Sequence, residues 1–239
     1  MNNINGDKKS KYVQEMFGRI AGRYDLLNRL MTFGQDKFWR NEAITHLTLK
    51  NNPIILDMGC GTGDIAFEIK RQNPKAIVVA SDFTPEMIEV GKKRPDVEQV
   101  YWVVADAMHL PFKQASFNGV VSGYLLRNVS DVNQVFEEQH RVLKPGGEMV
   151  SLDTTPPTQS AFILRPFLWL FFHLVIPLLG RFVAGDSEAY RYLPDSTEKF
   201  LNADDLAQKM KKAGFLSVAY VRRNLGTMAI HWGKKKWSI

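Results

Sequence analysis

The residues best suited to chemistry lie in Ile54-Ile55-Leu56-Asp57-Met58-Gly59-Cys60-Gly61-Thr62-Gly63, an apolar run that ends in a glycine-rich turn. Glycines in such a turn permit positive φ and let a ligand approach the backbone. The spacing is not a dinucleotide fingerprint, because Asp64 stands where that pattern needs its third glycine. No Gly-Lys-Ser/Thr follows, which excludes a phosphate loop. Asp82 closes the next apolar run, where a carboxylate can accept both hydroxyls of a ribose, and Asp106 closes the one after. A lone aspartate after a strand is usually a cap or turn residue. Three such features in chain order argue instead for a bound nucleotide-like molecule.

These residues need a scaffold that gathers strand ends. From residue 51 to 155, short β-rich runs alternate with helical stretches at the spacing of a parallel sheet flanked by helices. The predicted strands are Ile54 to Asp57, Ala76 to Ser81, Val100 to Ala105, Gly119 to Gly123 and Glu148 to Asp153. Helices fit at Asp64 to Arg71, Pro85 to Lys92 and Val132 to Leu143, the last closed by Lys144-Pro145-Gly146-Gly147. Near the C-terminus, a helix from Ala203 to Ala213 precedes strands at Phe215 to Arg222 and Thr227 to Trp232, suited to an antiparallel edge. Ahead of the core, Val13, Phe17, Ile20, Tyr24, Leu27 and Met31 recur at helical spacing, with Gly18 and Gly22 predicting a broken helix.

One segment stands apart. Residues 161–180 are apolar over about the length of a membrane span. A single crossing there would separate the first five strands from the last two. The segment also carries Arg165, Pro166, His173 and Pro177, and it reads as an amphipathic lid or interfacial element. The expected plan is one domain over 1–239: a helical cap (1–50), a ligand-binding core (51–155), an apolar insert (156–200) and a final helix and hairpin (201–239).

Composition sets bounds on this plan. The 239 residues are 45% hydrophobic and 23% charged, an ordinary globular balance. The single cysteine, Cys60, excludes an intrachain disulfide or a multi-cysteine metal site, and the five histidines lack helical pair spacing, so no protein-held metal is expected. The polar, basic stretch Met1 to Lys11 does not read as a secretion signal, and a cytoplasmic location is expected. The net charge of +6 is a modest excess that suits an anionic surface or substrate.

Asp-x-Gly-x-Gly-x-Gly after a first strand resembles the pattern of S-adenosylmethionine-dependent methyltransferases. Tyr24-Asp25-Leu26-Leu27-Asn28-Arg29-Leu30-Met31-Thr32, ending at Trp39, resembles the N-terminal signature of the ubiquinone and menaquinone biosynthesis C-methyltransferases. Leu126-Arg127-Asn128-Val129, Arg141 to Gly147 and Tyr190 to Ser196 continue the likeness over essentially the whole chain. Departures from the pattern are Leu27 for methionine, Thr32 for serine, Asp36 for histidine, Asp153 and Thr155 for Glu and Ser, and Gly123-Tyr124-Leu125 where Ser or Gly, Phe and Gly are usual.

The resemblance implies an α/β fold, the Rossmann-like seven-stranded class I methyltransferase, with a mostly parallel sheet and an antiparallel C-terminal edge hairpin. It implies S-adenosyl-L-methionine as cofactor, bound by Asp57, Gly59, Gly61, Thr62, Asp82, Asp106 and Ala107. Asp106 would take the adenine amino group. The acceptor would be the ring carbon of a polyprenylated demethylquinol, demethylmenaquinol first and a benzoquinol as the alternative. A phenol with a pKa near 10 is about 0.1% ionised at pH 7, so forming the nucleophilic phenolate costs about 4 kcal/mol. Arg127, Asn128, Tyr24 and Asp25 are the candidates to supply that help, with Arg127 stabilising the phenolate or positioning a water.

A lipid-soluble acceptor places the protein against the inner face of an anionic membrane, and gives 161–180 a role as tail channel or interfacial element; completion of the core or a homodimer contact is the other reading. Two further hypotheses remain open at this stage: methylation of a soluble metabolite or RNA, and a non-catalytic cofactor-binding protein. Strand four ends in Ser122-Gly123-Tyr124-Leu125 without the Asn/Asp-Pro-Pro-aromatic turn of base-modifying enzymes, and no appended RNA-binding module is evident, so a nucleic-acid partner is not expected.

Overall fold

The computed structural model describes residues 6–48, 51–95, 100–156, 174, 192 and 195–237. Alternation along the first strand, β1 (Ile54–Met58), separates two cores: Ile55 packs into one, Leu56 and Met58 into the other. This is the two-residue period of a strand buried on both faces. After β1 come α4 (Asp64–Gln72), β2 (Ile77–Asp82), α5 (Pro85–Gly91), β3 (Val100–Val104), β4 (Phe117–Gly123), α6 (Val132–Val142) and β5 (Leu143–Thr154). The chain closes with α7 (Ala203–Lys212), β6 (Leu216–Arg223) and β7 (Met228–Lys234).

All seven strands form one sheet in the order β3-β2-β1-β4-β5-β7-β6. β1 to β5 pair in parallel, and β7 runs antiparallel to both β5 and β6, with Val150 opposite Trp232. The strand order reverses between β1 and β4, and it is outside the strand ends at such a reversal that open α/β sheets bind ligands. Because β7 pairs with β5, a membrane crossing between them would break the sheet. No helix among the described residues is long and apolar enough to cross a membrane. The apolar stretch 161–180 lies outside the described residues apart from Leu174.

Boundaries differ from expectation where tertiary pairing overrides local signals. Lys144-Pro145-Gly146-Gly147 does not end a helix in a free turn; it belongs to β5, which starts at Leu143 opposite Phe117 and slips register before Glu148 meets Gly119. Gly146 takes φ +76° there, and its N–H donates to Lys235 O at 3.0 Å, so the C-terminal strand straps the irregularity down.

The N-terminal helix is broken as its glycines suggest. α1 (Gly6–Ile20) passes through a single 3-10 turn (Ala21–Arg23) into α2 (Tyr24–Met31). Gly18 stays helical, and a Cβ there would lie 3.2 Å from the Glu86 carboxylate. A further helix, α3 (Gln35–Ile44), is one that sequence periodicity did not reveal; it buries Trp39, Ala43 and Ile44 against the core and turns Asp36 and Arg40 inward as well. α1 spans the strand ends. Lys9 Nζ donates to Arg127 O at 3.3 Å and Val129 O at 2.6 Å after β4, and Gln14 Nε2 donates to Phe83 O at 2.8 Å after β2.

Candidate active site

Under α1, the ends of β1, β2, β3 and β4 form a cleft. Its floor is Gly59 and Gly61, at φ +68° and +55°. A Cβ on Gly59 would sit 2.7 Å from Leu125 Cδ1, so only glycine keeps that approach open. Asp82 lines the cleft: Oδ2 accepts from Gly61 N–H and Oδ1 from Thr84 N–H, each at 2.8 Å. Burial pushes its carboxyl above the usual range, and these N–H donors oppose the shift. Asp106 and Ala107 line the same cleft from the end of β3, with Asp106 Oδ1 accepting from Met108 N–H at 2.9 Å. His109 is a surface residue, 3.3 Å through Nδ1 from Asp106 Oδ2.

Asp57 and Thr62 face elsewhere. Asp57 shares the β1 face of Ile55, is fully buried, and its Oδ2 accepts from Ala66 N–H at 3.0 Å. It thereby caps α4 from across the turn, because the residue at the cap position, Gly63, has no side chain to do so. Its Oδ1 has no partner among the described residues, and burial raises the carboxyl to about 7. Thr62 Oγ1 donates to Asp25 Oδ1 at 2.7 Å, and Arg94 lies 3.7 Å from Asp25 Oδ2. Both Asp25 and Asp57 border a small second pocket behind the glycine turn.

Asp64, the residue that breaks the dinucleotide pattern, is the hub of that region. It meets Arg94 at 2.6 Å and Arg29 and Arg40 at 3.4 Å, while Arg40 also pairs with Asp36. Burial acts to raise the Asp64 carboxyl, yet Arg40 and Arg94 hold it below the ordinary range. This network fastens α2 and α3 to the start of α4. Asp36, where the resembling pattern has histidine, is thus one half of a buried ion pair.

Tyr24 and Asn128 form a further part of the cleft wall. Asn128 is held at both ends: Nδ2 donates to Tyr124 O at 2.8 Å, and Oδ1 accepts from the Tyr192 hydroxyl at 3.2 Å. Burial raises the Tyr24 hydroxyl above its ordinary range, against the pull of Arg40 and of a hydrogen bond with Asn28. Arg127 does not line the cleft. Its Nη1 is 2.8 Å from Asp153 Oδ1, its N–H donates to Asp153 Oδ2 at 3.3 Å, and its Nε has no partner among the described residues. Of the eleven nominated residues, Gly59, Gly61, Asp82, Asp106, Ala107, Tyr24 and Asn128 share the cleft; Asp57, Thr62, Asp25 and Arg127 lie behind its walls.

Ser122 is buried and 3.3 Å from Ser151 Oγ, whereas Gly123 faces the cleft. Cys60 packs against the core, with its thiol raised by burial. His140 meets Phe215 edge-on, while His173 is outside the described residues. Sequence reasoning missed Tyr124, which lines the cleft at φ +60° and carries a buried hydroxyl without a partner among the described residues. Its one signal was the departure from phenylalanine.

A model of the ubiE/COQ5 methyltransferase family matches residues 5–235. The chain is 47% identical over 227 residues, covering 95% of itself and 92% of its relative, to the ubiquinone/menaquinone biosynthesis C-methyltransferase UbiE of Desulfotalea psychrophila. It is 38% identical over 230 residues, 96% of each chain, to the demethylmenaquinone methyltransferase of Roseiflexus castenholzii. Among solved structures, a SAM-dependent methyltransferase of Thermotoga maritima superposes with a TM-score of 0.66 at 18% identity, covering 94% of this chain and all of that one, which concerns the fold alone.

Proposed function

Because the chain belongs to the ubiE/COQ5 methyltransferase family, we infer that its acceptor is the ring of a polyprenylated demethylquinol, demethylmenaquinol before any benzoquinol. The protein is an S-adenosylmethionine-dependent methyltransferase of quinone biosynthesis. The observation that carries the reading is one cleft that joins a donor-binding floor to a polar acceptor wall.

The floor fits the cofactor. Gly59 and Gly61 present bare backbone to the cleft; Asp82 would take the ribose hydroxyls, and Asp106 with Ala107 the base. When bound, S-adenosylmethionine supplies an electrophilic methyl group on a sulfonium centre. Asp57 supports the floor by holding the start of α4, and Thr62 with Asp25 ties the turn to the cap. This arrangement favours a positioning role for Asp25 over that of a base in contact with the acceptor.

On the acceptor wall, Tyr24 stays protonated and donates, and Asn128 offers its amide in a fixed orientation. Such donors lower the roughly 4 kcal/mol needed to ionise a quinol hydroxyl at neutral pH. Arg127, locked to Asp153, contributes positive charge through the wall, 5.3 Å from the Tyr124 ring centroid. The acceptor's lipid tail makes a membrane surface the expected partner. Support for this comes from Leu26, Leu30 and Phe38, large apolar side chains exposed on the outer side of the cap, beside Lys37.

The test is direct. Purified protein with labelled S-adenosylmethionine and reduced demethylmenaquinol should yield label in the extracted naphthoquinone. Label in the benzoquinone product alone would move the assignment to the ubiquinone branch, and label in neither would remove the quinone reading.

A further inference from the structure

At the acceptor wall the structure gathers buried donors that find no partner among the described residues. The Tyr124 hydroxyl and the Arg127 Nε are each shielded from solvent, and neither has a hydrogen-bond partner among the described residues. They belong to one neighbourhood. Arg40 and Arg127 each place a guanidinium 5.3 Å from the centroid of the Tyr124 ring. Tyr24 hydrogen-bonds Asn28 and feels both arginines. Leaving a buried polar group unpaired costs free energy, and orphans are rare enough in native proteins that each calls for an explanation. Two such groups in one place, both able to donate, with the Arg40 guanidinium beside them, describe a site suited to an acceptor oxygen carrying negative charge.

Tyr124 is the member that reaches the cleft. It sits between the cofactor floor at Gly59 and Gly61 and the acceptor wall at Asn128, whose amide hydrogen-bonds the Tyr124 carbonyl. Its backbone is held at φ +60°, which is unfavourable for an aromatic residue, so the surrounding structure imposes this placement. Burial keeps the hydroxyl protonated through neutral pH, even with Arg40 and Arg127 pulling the other way, so it is a donor and not a base.

We propose that the Tyr124 hydroxyl is a binding group for the acceptor, donating a hydrogen bond to the ring oxygen that becomes the phenolate, in a donor-rich subsite completed by Arg127. The proposal rests on the quinol reading above. A phenylalanine at this position would keep the ring between the two arginines and delete only the donor.

Tyr124→Phe therefore isolates the hydroxyl. Removing an unpaired buried group leaves thermal stability equal or higher, and S-adenosylmethionine affinity should not change. kcat/KM for demethylmenaquinol should fall by about tenfold to a hundredfold, the loss of a hydrogen bond to a charged oxygen. The rise of kcat/KM with pH should also move to higher pH, which a purely structural role would not cause. An independent readout is para-nitrophenol, whose ionised form is coloured: the wild type should lower its pKa on binding, and Tyr124→Phe should not. Unchanged kinetics, pH profile and probe ionisation in the variant would overturn the proposal. Absence of any quinol turnover by the wild type would count against the quinol reading, while the probe titration would still decide the subsite.

Discussion

Arg127 and Asp153 form a buried ion pair, Nη1 to Oδ1 at 2.8 Å, with the two side chains 8% and 2% exposed. The carboxylate takes the arginine's backbone N–H as well, so one residue at the end of β5 fixes both the side chain and the chain path after β4. Burial pushes the Asp153 carboxyl up and Arg127 works against it.

Removing one partner of such a pair strands the other charge. Asp153→Ala should cost about 3–5 kcal/mol of stability, read from urea unfolding. Asp153→Glu, which keeps the charge, should recover most of it and retain turnover. An Asp153→Ala protein as stable as wild type would mean that the pair does not hold the loop.

Asp57 links stability to pH. In the unfolded chain its carboxyl ionises near pH 4, whereas in the folded protein it holds its proton to about 7. The native state is therefore favoured in full below the unfolded value. It loses that advantage as pH rises through 7, by roughly 4 kcal/mol in total. Asp57→Asn cannot ionise, so its melting temperature relative to wild type should climb between pH 5 and pH 8. A difference flat across that range would show that Asp57 is ionised throughout.

Tyr192 should act through Asn128. Its hydroxyl is 3.2 Å from Asn128 Oδ1, and its ring lies 5.8 Å from that of Tyr12 on α1. Tyr192→Phe keeps the ring contact and frees the amide to turn. A fall in kcat of about twofold to tenfold is expected, with stability within about 1 kcal/mol of wild type and cofactor affinity unchanged. Equal loss of cofactor binding would place the effect in the fold and not in the acceptor wall.

What the amino-acid order determined by itself was the α/β core, the glycine turn and the carboxylates that line the cleft. Strand alternation, the turn from Gly59 to Gly63 and a carboxylate closing each of β2 and β3 are local patterns, and local patterns survive reading one residue at a time. The sequence also carried the acceptor motif around Arg127 and Asn128, through resemblance. What only the tertiary structure decided was which of these side chains meet. Asp57 lies in the signature yet turns behind the turn's backbone, because β1 presents alternate residues to opposite faces, and Thr62 is drawn there by Asp25. Arg127 finds its partner 26 positions away on β5, and Asn128 finds Tyr192 at 64. Asp64, read as a missing glycine, becomes the clasp between cap and core only when α2, α3 and the chain after α5 bring Arg29, Arg40 and Arg94 to it. Pairings over such separations leave no periodic trace in the sequence; they exist because the sheet and cap fold the distant segments onto one site.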